Sequence, residues 1–282
     1  MAVQTVAVIG AGTMGAGIAQ VAAQAGYNVI LTDIAEDYVA KGAKGIQKSL
    51  ERMEAKGQIS ETAAAVMGRI KQTVGNDALA EADMVFEVII ENMEIKKKLY
   101  AELDQICPAH TIICSNTSGL SITEIASATK RPAQIVGTHF FNPVPVMKLV
   151  ELIKGFETSE EAYKTAAEVC EKMGKTAITV NEAPLFAVNR ILVPMIAEAV
   201  VVLEEGTATA EDIDTGMKLG ANHPIGPLAL ADMIGLDVLL MVMNTLYNET
   251  QDSKYRVPGL LKKLVRAGHY GRKTGRGFFE YK

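Results

Sequence analysis

Along residues 1–183 short apolar runs alternate with amphipathic stretches. Apolar segments at 6–9, 29–32, 84–88, 111–114, 135–139, 147–153 and 177–180 predict seven β-strands with helices between them. That rhythm belongs to an α/β chain, a doubly wound, mostly parallel sheet with helices on both faces. Residues 5–33 make one complete strand–turn–helix–strand unit. The stretch from about 35 to 72 is too long for a plain crossover and predicts a helical-hairpin insertion. Its first helix covers 35–55, a turn falls at 56–58, and Ser60 caps the second helix. Strand alternation stops at residue 184, and helical stretches at 186–205, 210–219 and 229–247 follow. The pattern therefore predicts two domains, 1–183 and 184–282, the second all-helical.

The first turn carries glycines where side chains are otherwise plentiful. In VIGAGTMGAGIA, Gly10, Gly12 and Gly15 stand between a strand and a helix, with Thr13 and Met14 at the helix start. Gly10 suits the tight turn, Gly12 a close approach of backbone to a pyrophosphate, and Gly15 close packing of helix on strand. Helix N–H groups and the helix dipole then face the phosphates. Asp33 ends the second strand, where a carboxylate accepts hydrogen bonds from a ribose diol and repels a 2′-phosphate. The unit predicts a Rossmann-type NAD-binding domain, with NAD(H) preferred over NADP(H).

Two further patterns carry chemistry. On the first inserted helix Lys41, Lys44, Lys48, Arg52 and Lys56 share one face, opposite Val39, Ala43, Ile46, Leu50 and Met53. This stripe is read either as a solvated charged face or as a landing strip for a polyanionic ligand tail. In THFFNPVPVMKLVELI two apolar runs flank NPVP, and a reversal centred on Pro145 sets His139 opposite Glu151. The pair is either structural or a general acid–base whose tautomer the carboxylate fixes. Ser115–Ser118 follows another strand and suits a cap for the helix near Ile122; Asn189 opens the helical domain.

Composition narrows the classes. With 49% apolar and 22% charged residues the chain has material for a packed core. A net charge of −5 argues against nucleic acid as partner. No apolar run approaches the ~20 residues of a membrane span, and no basic segment precedes an apolar one at the start, so neither membrane insertion nor a signal peptide is expected. Cys107, Cys114 and Cys170 are odd in number, far apart and without a C-x-x-C, which reads as buried, reduced thiols in a cytoplasmic protein. His110, His139, His223 and His269 are scattered, so no metal is expected.

The segments VIGAGTMGAGIA, IENMEIK, SNTSGLSITEIA, GTHFFNPVPVMKLVELI, VNRILVPM, LGANHPIGPLALAD and GRKTGRGFFEYK run nearly end to end. In them the chain resembles the L-3-hydroxyacyl-CoA dehydrogenase family, most of all its bacterial short-chain members. The resemblance implies oxidation of an L-3-hydroxyacyl-CoA such as 3-hydroxybutyryl-CoA to the 3-ketoacyl-CoA with NAD, or the reverse, and a homodimer formed through the helical domain. It makes His139 the acid–base, Glu151 its partner, and Ser118 and Asn189 polar contacts near the reacting carbon, Ser118 also touching the nicotinamide. It assigns Asn142, Glu91, Lys96 and Lys273 to the cofactor and Ser49 and Lys56 to CoA. Three positions depart from the family: Gly119 replaces a serine, Leu185 replaces a glycine, and 88–90 is bulkier than usual. A related acid dehydrogenase without CoA, or a non-catalytic crystallin-like protein, is the competing reading.

Overall fold

In the computed structural model, which describes residues 2–281, the first apolar run forms β1 (Thr5–Ile9), turns, continues as α1 (Thr13–Gln24) and returns as β2 (Asn28–Asp33). The insertion follows as α2 (Glu36–Ala55) and α3 (Ala63–Met67). Thr62, not Ser60, caps α3, its hydroxyl accepting the Ala65 N–H at 3.2 Å. The chain then re-enters the sheet as β3 (Ile70–Val74), an eighth strand beyond the seven expected. Its exposed Lys71, Gln72 and Val74 obscure the apolar pattern that reveals the inner strands.

The remainder of the first unit runs β4 (Met84–Glu87), α4 (Met93–Ile106), β5 (Ile112–Ser115), α5 (Ile122–Ala126), β6 (Ile135–Phe140), β7 (Leu149–Lys154), α6 (Glu160–Lys172) and β8 (Thr176–Asn181). Strand order is β3-β2-β1-β4-β5-β6-β7-β8, parallel except for the antiparallel β6–β7 pair. Order reverses between β1 and β4, and that switch point opens a crevice at the carboxyl ends of the strands. The inner strands are apolar on both faces because helices cover both: Val8 and Phe86 on one face and Ala7, Val85 and Ile113 on the other are all fully buried. α2 buries Val39, Ala43, Ile46 and Leu50, leaving its lysines in water. Burying each of the larger three contributes about 1.5–3 kcal/mol, enough to hold the insertion on the sheet.

The chain divides into two compact units, Met1–Ala183 and Pro184–Lys282. The second comprises α7 (Val188–Glu204), α8 (Ala210–Gly220), α9 (Pro227–Ile234), α10 (Leu236–Thr250) and α11 (Gly259–Arg266) around Val193, Ile196, Leu236 and Leu261. The single helix expected over 229–247 is two, bent by 98° at Gly235, whose φ of 102° no ordinary side chain adopts readily. Buried Asp214 on α8 caps α9 by accepting the Leu228 and Ala229 N–H groups, each at 2.9 Å. Asp232 takes the N–H groups of Phe278 and Phe279 and the Tyr281 hydroxyl, fastening the glycine-rich tail to α9. Among the described residues no single helix is long and apolar enough to cross a membrane.

Candidate active site

The glycine turn is built for contact on two sides and left open on the third. Gly10 has φ +101°, and a Cβ there would stand 2.5 Å from the Val88 carbonyl oxygen. A Cβ on Gly15 would stand 1.7 Å from the Gly10 oxygen, so α1 can leave the turn only through glycine. A Cβ on Gly12 would meet nothing within 4 Å. No side chain caps α1, which leaves its first N–H groups directed at whatever occupies the space beside Gly12. Asp33 braces the turn from β2: its Oδ2 accepts the Ala11 N–H at 2.7 Å while Oδ1 accepts the Ile34 N–H at 2.7 Å.

A cleft of about 1020 Å³ opens over this turn. Gly10, Gly12, Thr13, Asp33 and Asn142 line it, as do Lys41, Ser49 and Arg52 of α2. α2 sits directly on the turn, because Gly42 leaves only room enough for the Ala11 oxygen, 2.5 Å from where its Cβ would be. Gly42 escaped the sequence reading, being one small residue within a helical stretch. The uncapped helix, the open side of Gly12 and the carboxylate at the end of β2 fit a dinucleotide.

The second cluster is the expected carboxylate–imidazole pair. β6 and β7 pair with His139 opposite Glu151, and Nδ1 lies 2.7 Å from Oε2. Both are buried, Glu151 completely and His139 to 5% exposure. A carboxylate only accepts, so the proton of this contact sits on Nδ1, an arrangement able to support acid–base chemistry at Nε2. The ring packs on Phe141 with centroids 4.4 Å apart. The two strands join through residues 142–147, where the peptide Asn142-Pro143 is cis and the Pro143 oxygen accepts the N–H groups of Val146 and Met147 at 3.0 and 2.9 Å.

A buried polar network lies at the ends of β4 and β5. Glu87 is fully buried and accepts from Lys96 Nζ at 2.6 Å, Ser115 Oγ at 2.7 Å and the Ile89 N–H at 2.9 Å. Lys96, also fully buried, reaches Glu91 at 3.8 Å. Glu91 in turn accepts the Thr117 hydroxyl at 2.5 Å and the Ser118 N–H at 2.9 Å. Lys96 is therefore placed behind Glu91, without solvent exposure. Asn116 Oδ1 holds the Phe140 N–H at 3.0 Å, one residue beyond His139. The cap of α5 is Ser121, which accepts the Glu124 N–H at 3.0 Å, so Ser115–Ser118 are released from that expected task. Burial pushes the nearby Tyr100 phenol far above its ordinary pKa, and the Glu87 charge adds to this.

The profile of the "3-hydroxyacyl-CoA dehydrogenase, NAD binding domain" matches residues 5–183, and that of the "3-hydroxyacyl-CoA dehydrogenase, C-terminal domain" matches 186–281. The chain belongs to the 3-hydroxyacyl-CoA dehydrogenase family. It is an oxidoreductase with NAD as cofactor, and it interconverts 3-hydroxyacyl-CoA and 3-ketoacyl-CoA. It is 50% identical over 282 residues to a "Probable 3-hydroxybutyryl-CoA dehydrogenase" of Bacillus subtilis, covering 100% of this chain and 98% of that one. Identity to the 3-hydroxybutyryl-CoA dehydrogenase of Clostridioides difficile is 48% over 276 residues, 98% of each chain. The crystal structure of the (S)-3-hydroxybutyryl-CoA dehydrogenase PaaH1 from Ralstonia eutropha superposes with a TM-score of 0.98 at 49% identity over 100% of both chains.

Within this dehydrogenase the candidate residues fall into separate groups. Gly10, Gly12, Thr13, Asp33, Asn142 and Ser49 share the cleft; Met14 and Gly15 pack behind the turn. Glu91 and Ser118 form the second group with Lys96, and His139 and Glu151 the third. Lys56 ends α2 exposed and outside the cleft lining. Asn189 and Lys273 belong to the second unit: Asn189 half-buried in the first turn of α7, Lys273 paired with Asp237. The residue that departs from the family glycine, Leu185, has φ 61°, and Phe186 beside it 60°, so both hold a left-handed backbone without glycine.

Proposed function

We propose that the enzyme acts on short-chain L-3-hydroxyacyl-CoA and its 3-ketoacyl partner, acetoacetyl-CoA among them, with His139 as the acid–base. The observation that carries this reading is the buried His139–Glu151 pair. NAD supplies the hydride acceptor in oxidation and, reduced, the donor in reduction. His139 Nε2 takes the hydroxyl proton as the alcohol is oxidised and returns it to the carbonyl oxygen in reduction. Glu151 keeps Nδ1 protonated and stabilises the imidazolium that forms. Ser118 and Asn189 supply polar contacts to the substrate near the reacting carbon. Glu91 would contact the cofactor, with Lys96 fixing Glu91 from behind, and Asn142 and Lys273 would complete the cofactor contacts. Asp33 takes the adenine ribose and the N–H groups of the Gly10–Gly15 turn the pyrophosphate.

Ser49 and Lys56 bind CoA, joined by the cationic stripe of α2. Support comes from the stripe's ion pairing: among the described residues none of Lys41, Lys44, Lys48, Arg52 and Lys56 forms a salt bridge. Lys44, Lys48, Arg52 and Lys56 follow one another at i,i+4, where like charges repel, and a polyanionic tail relieves that repulsion. The second unit exposes Ile191 (72%), Leu219 (83%) and Met241 (57%), which supports a homodimer burying that surface. Three buried, unbridged cysteines support a reducing, cytoplasmic setting. The net charge of −5 supports a protein without a nucleic-acid or membrane partner.

The test compares NADH oxidation with acetoacetyl-CoA and with free acetoacetate. Turnover of the thioester alone is expected, and equal turnover of the free acid overturns the CoA assignment.

A further inference from the structure

Lys175, in the turn between α6 and β8, is buried to 7% exposure, yet among the described residues no carboxylate lies within ion-pairing distance of it. Its ammonium donates instead to two backbone carbonyls, those of Val144 and, at 2.9 Å, Met147. Burial holds this lysine below the ordinary lysine range, with the Cys170 thiol of α6 working the other way. An apolar side chain fills such a place at lower cost in desolvation. What the ammonium adds is a two-point grip on residues 142–147.

That segment has two duties. Asn142, Pro143, Val144, Pro145 and Val146 line the cleft over the glycine turn. The same residues connect the strand of His139 to the strand of Glu151. On the α1 side the segment is stopped by contact: a Cβ on Gly17 would stand 2.8 Å from Val144 Cβ. On the other side Lys175 holds it. Four of the five cleft-lining residues are proline or valine, which offer the segment no side-chain hydrogen bonds, so its placement depends on backbone partners.

We propose that Lys175 is a positioning residue for the cofactor, its ammonium clamping the Val144 and Met147 carbonyls so that 142–147 stands as a fixed wall of the nucleotide cleft. The proposal rests on the reading of that cleft as the NAD site. Sequence alone gives no sign of it, because the lysine lies some thirty residues from its acceptors and in a turn where lysine is ordinary.

The experiment uses the full chain with Lys175→Met, which keeps length and loses every donor, and Lys175→Arg, which keeps donors. NADH affinity is measured by fluorescence titration, and hydrogen exchange is followed at the Val146 and Met147 amides and across β1 and β4. For Lys175→Met the Kd for NADH should rise about tenfold and exchange at the two turn amides about as much, while β1 and β4 stay as in wild type. The KM for acetoacetyl-CoA at saturating NADH should stay within about twofold, and Lys175→Arg should recover most of the NADH affinity. Unchanged NADH affinity in Lys175→Met overturns the proposal, as does exchange that rises equally in β1 and β4. Should Lys175→Met not fold, Lys175→Gln is read the same way: turn exchange and Kd must rise together, and either one staying at the wild-type value overturns it. Wild-type protein that fails to bind NADH would instead overturn the assignment of the cleft.

Discussion

Asp33 is positioned to do two things at once, and two substitutions separate them. Its Oδ2 braces the glycine turn through the Ala11 N–H at 2.7 Å, while the half-buried carboxylate faces the cleft with its charge. A 2′-phosphate placed about 5 Å from that charge meets a repulsion of about 1–3 kcal/mol at effective dielectric constants between those of water and a protein surface. Solvent exposure favours the lower half of that range, so about tenfold discrimination is expected from this side chain. Asp33→Asn removes the charge but keeps a carbonyl oxygen for Ala11. The ratio of kcat/KM for NADPH to that for NADH should therefore rise about tenfold, with NADH itself affected less. Asp33→Ala also leaves the Ala11 N–H without its charge-assisted partner, a bond contributing about 1.5–3 kcal/mol when buried and less here. Its kcat/KM for NADH should fall several-fold below that of Asp33→Asn. Initial rates with acetoacetyl-CoA and each nucleotide give both quantities. An unchanged nucleotide ratio in Asp33→Asn refutes the electrostatic argument, and identical behaviour of the two variants refutes the brace.

Two further predictions concern stability. Leu185 is 2% exposed and has φ 61°, so packing and backbone pull in opposite directions. Leu185→Ala loses the packing, about 3–5 kcal/mol, and keeps a left-handed backbone costing about 1–2 kcal/mol. Leu185→Gly loses the packing but sheds the strain, so in denaturant titration the glycine variant should be the more stable, and the usual order with alanine ahead would refute the strain. For Asp83, burial raises the carboxyl pKa, but the N–H donors of Thr5 and Gln4 (2.9 and 2.8 Å) together with His110 outweigh it and hold the group below the usual carboxylate range. A carboxyl lowered by folding stabilises above its unfolded pKa and loses that contribution as pH falls through the folded value. Asp83→Asn should thus cost stability at neutral pH, and the gap to wild type should close under acid; a gap constant with pH would contradict the sign.

The sheet and its chemistry were legible where pattern and chain order agree. Gly10 and Gly15 are required by backbone contact, and Asp33 ends its strand, so that unit could be read from spacing alone. The pairing of His139 with Glu151 followed from a reversal about Pro145, because antiparallel register is fixed by the turn. Edge strand β3 was missed since an edge needs little apolar surface, and Gly235 was passed over because one glycine in an apolar run is tolerated in a helix as readily as it breaks one. The burial of Lys96 was illegible for another reason. Its partner Glu87 lies on a strand and Lys96 on the following helix, so nothing short of the fold brings the two charges together. Ser60 and Thr62 are equivalent as caps in sequence, and only the path of the chain after α2 selects between them.

The proposed catalysis depends on the imidazole of His139 as proton carrier, and His139→Gln tests it most directly. Acetoacetyl-CoA reduction should fall about 10²–10⁴-fold while the Kd for NADH stays at the wild-type value, with Glu151→Gln losing less and in the same direction. Turnover within a few-fold of wild type, or NADH binding lost in step with activity, would contradict it.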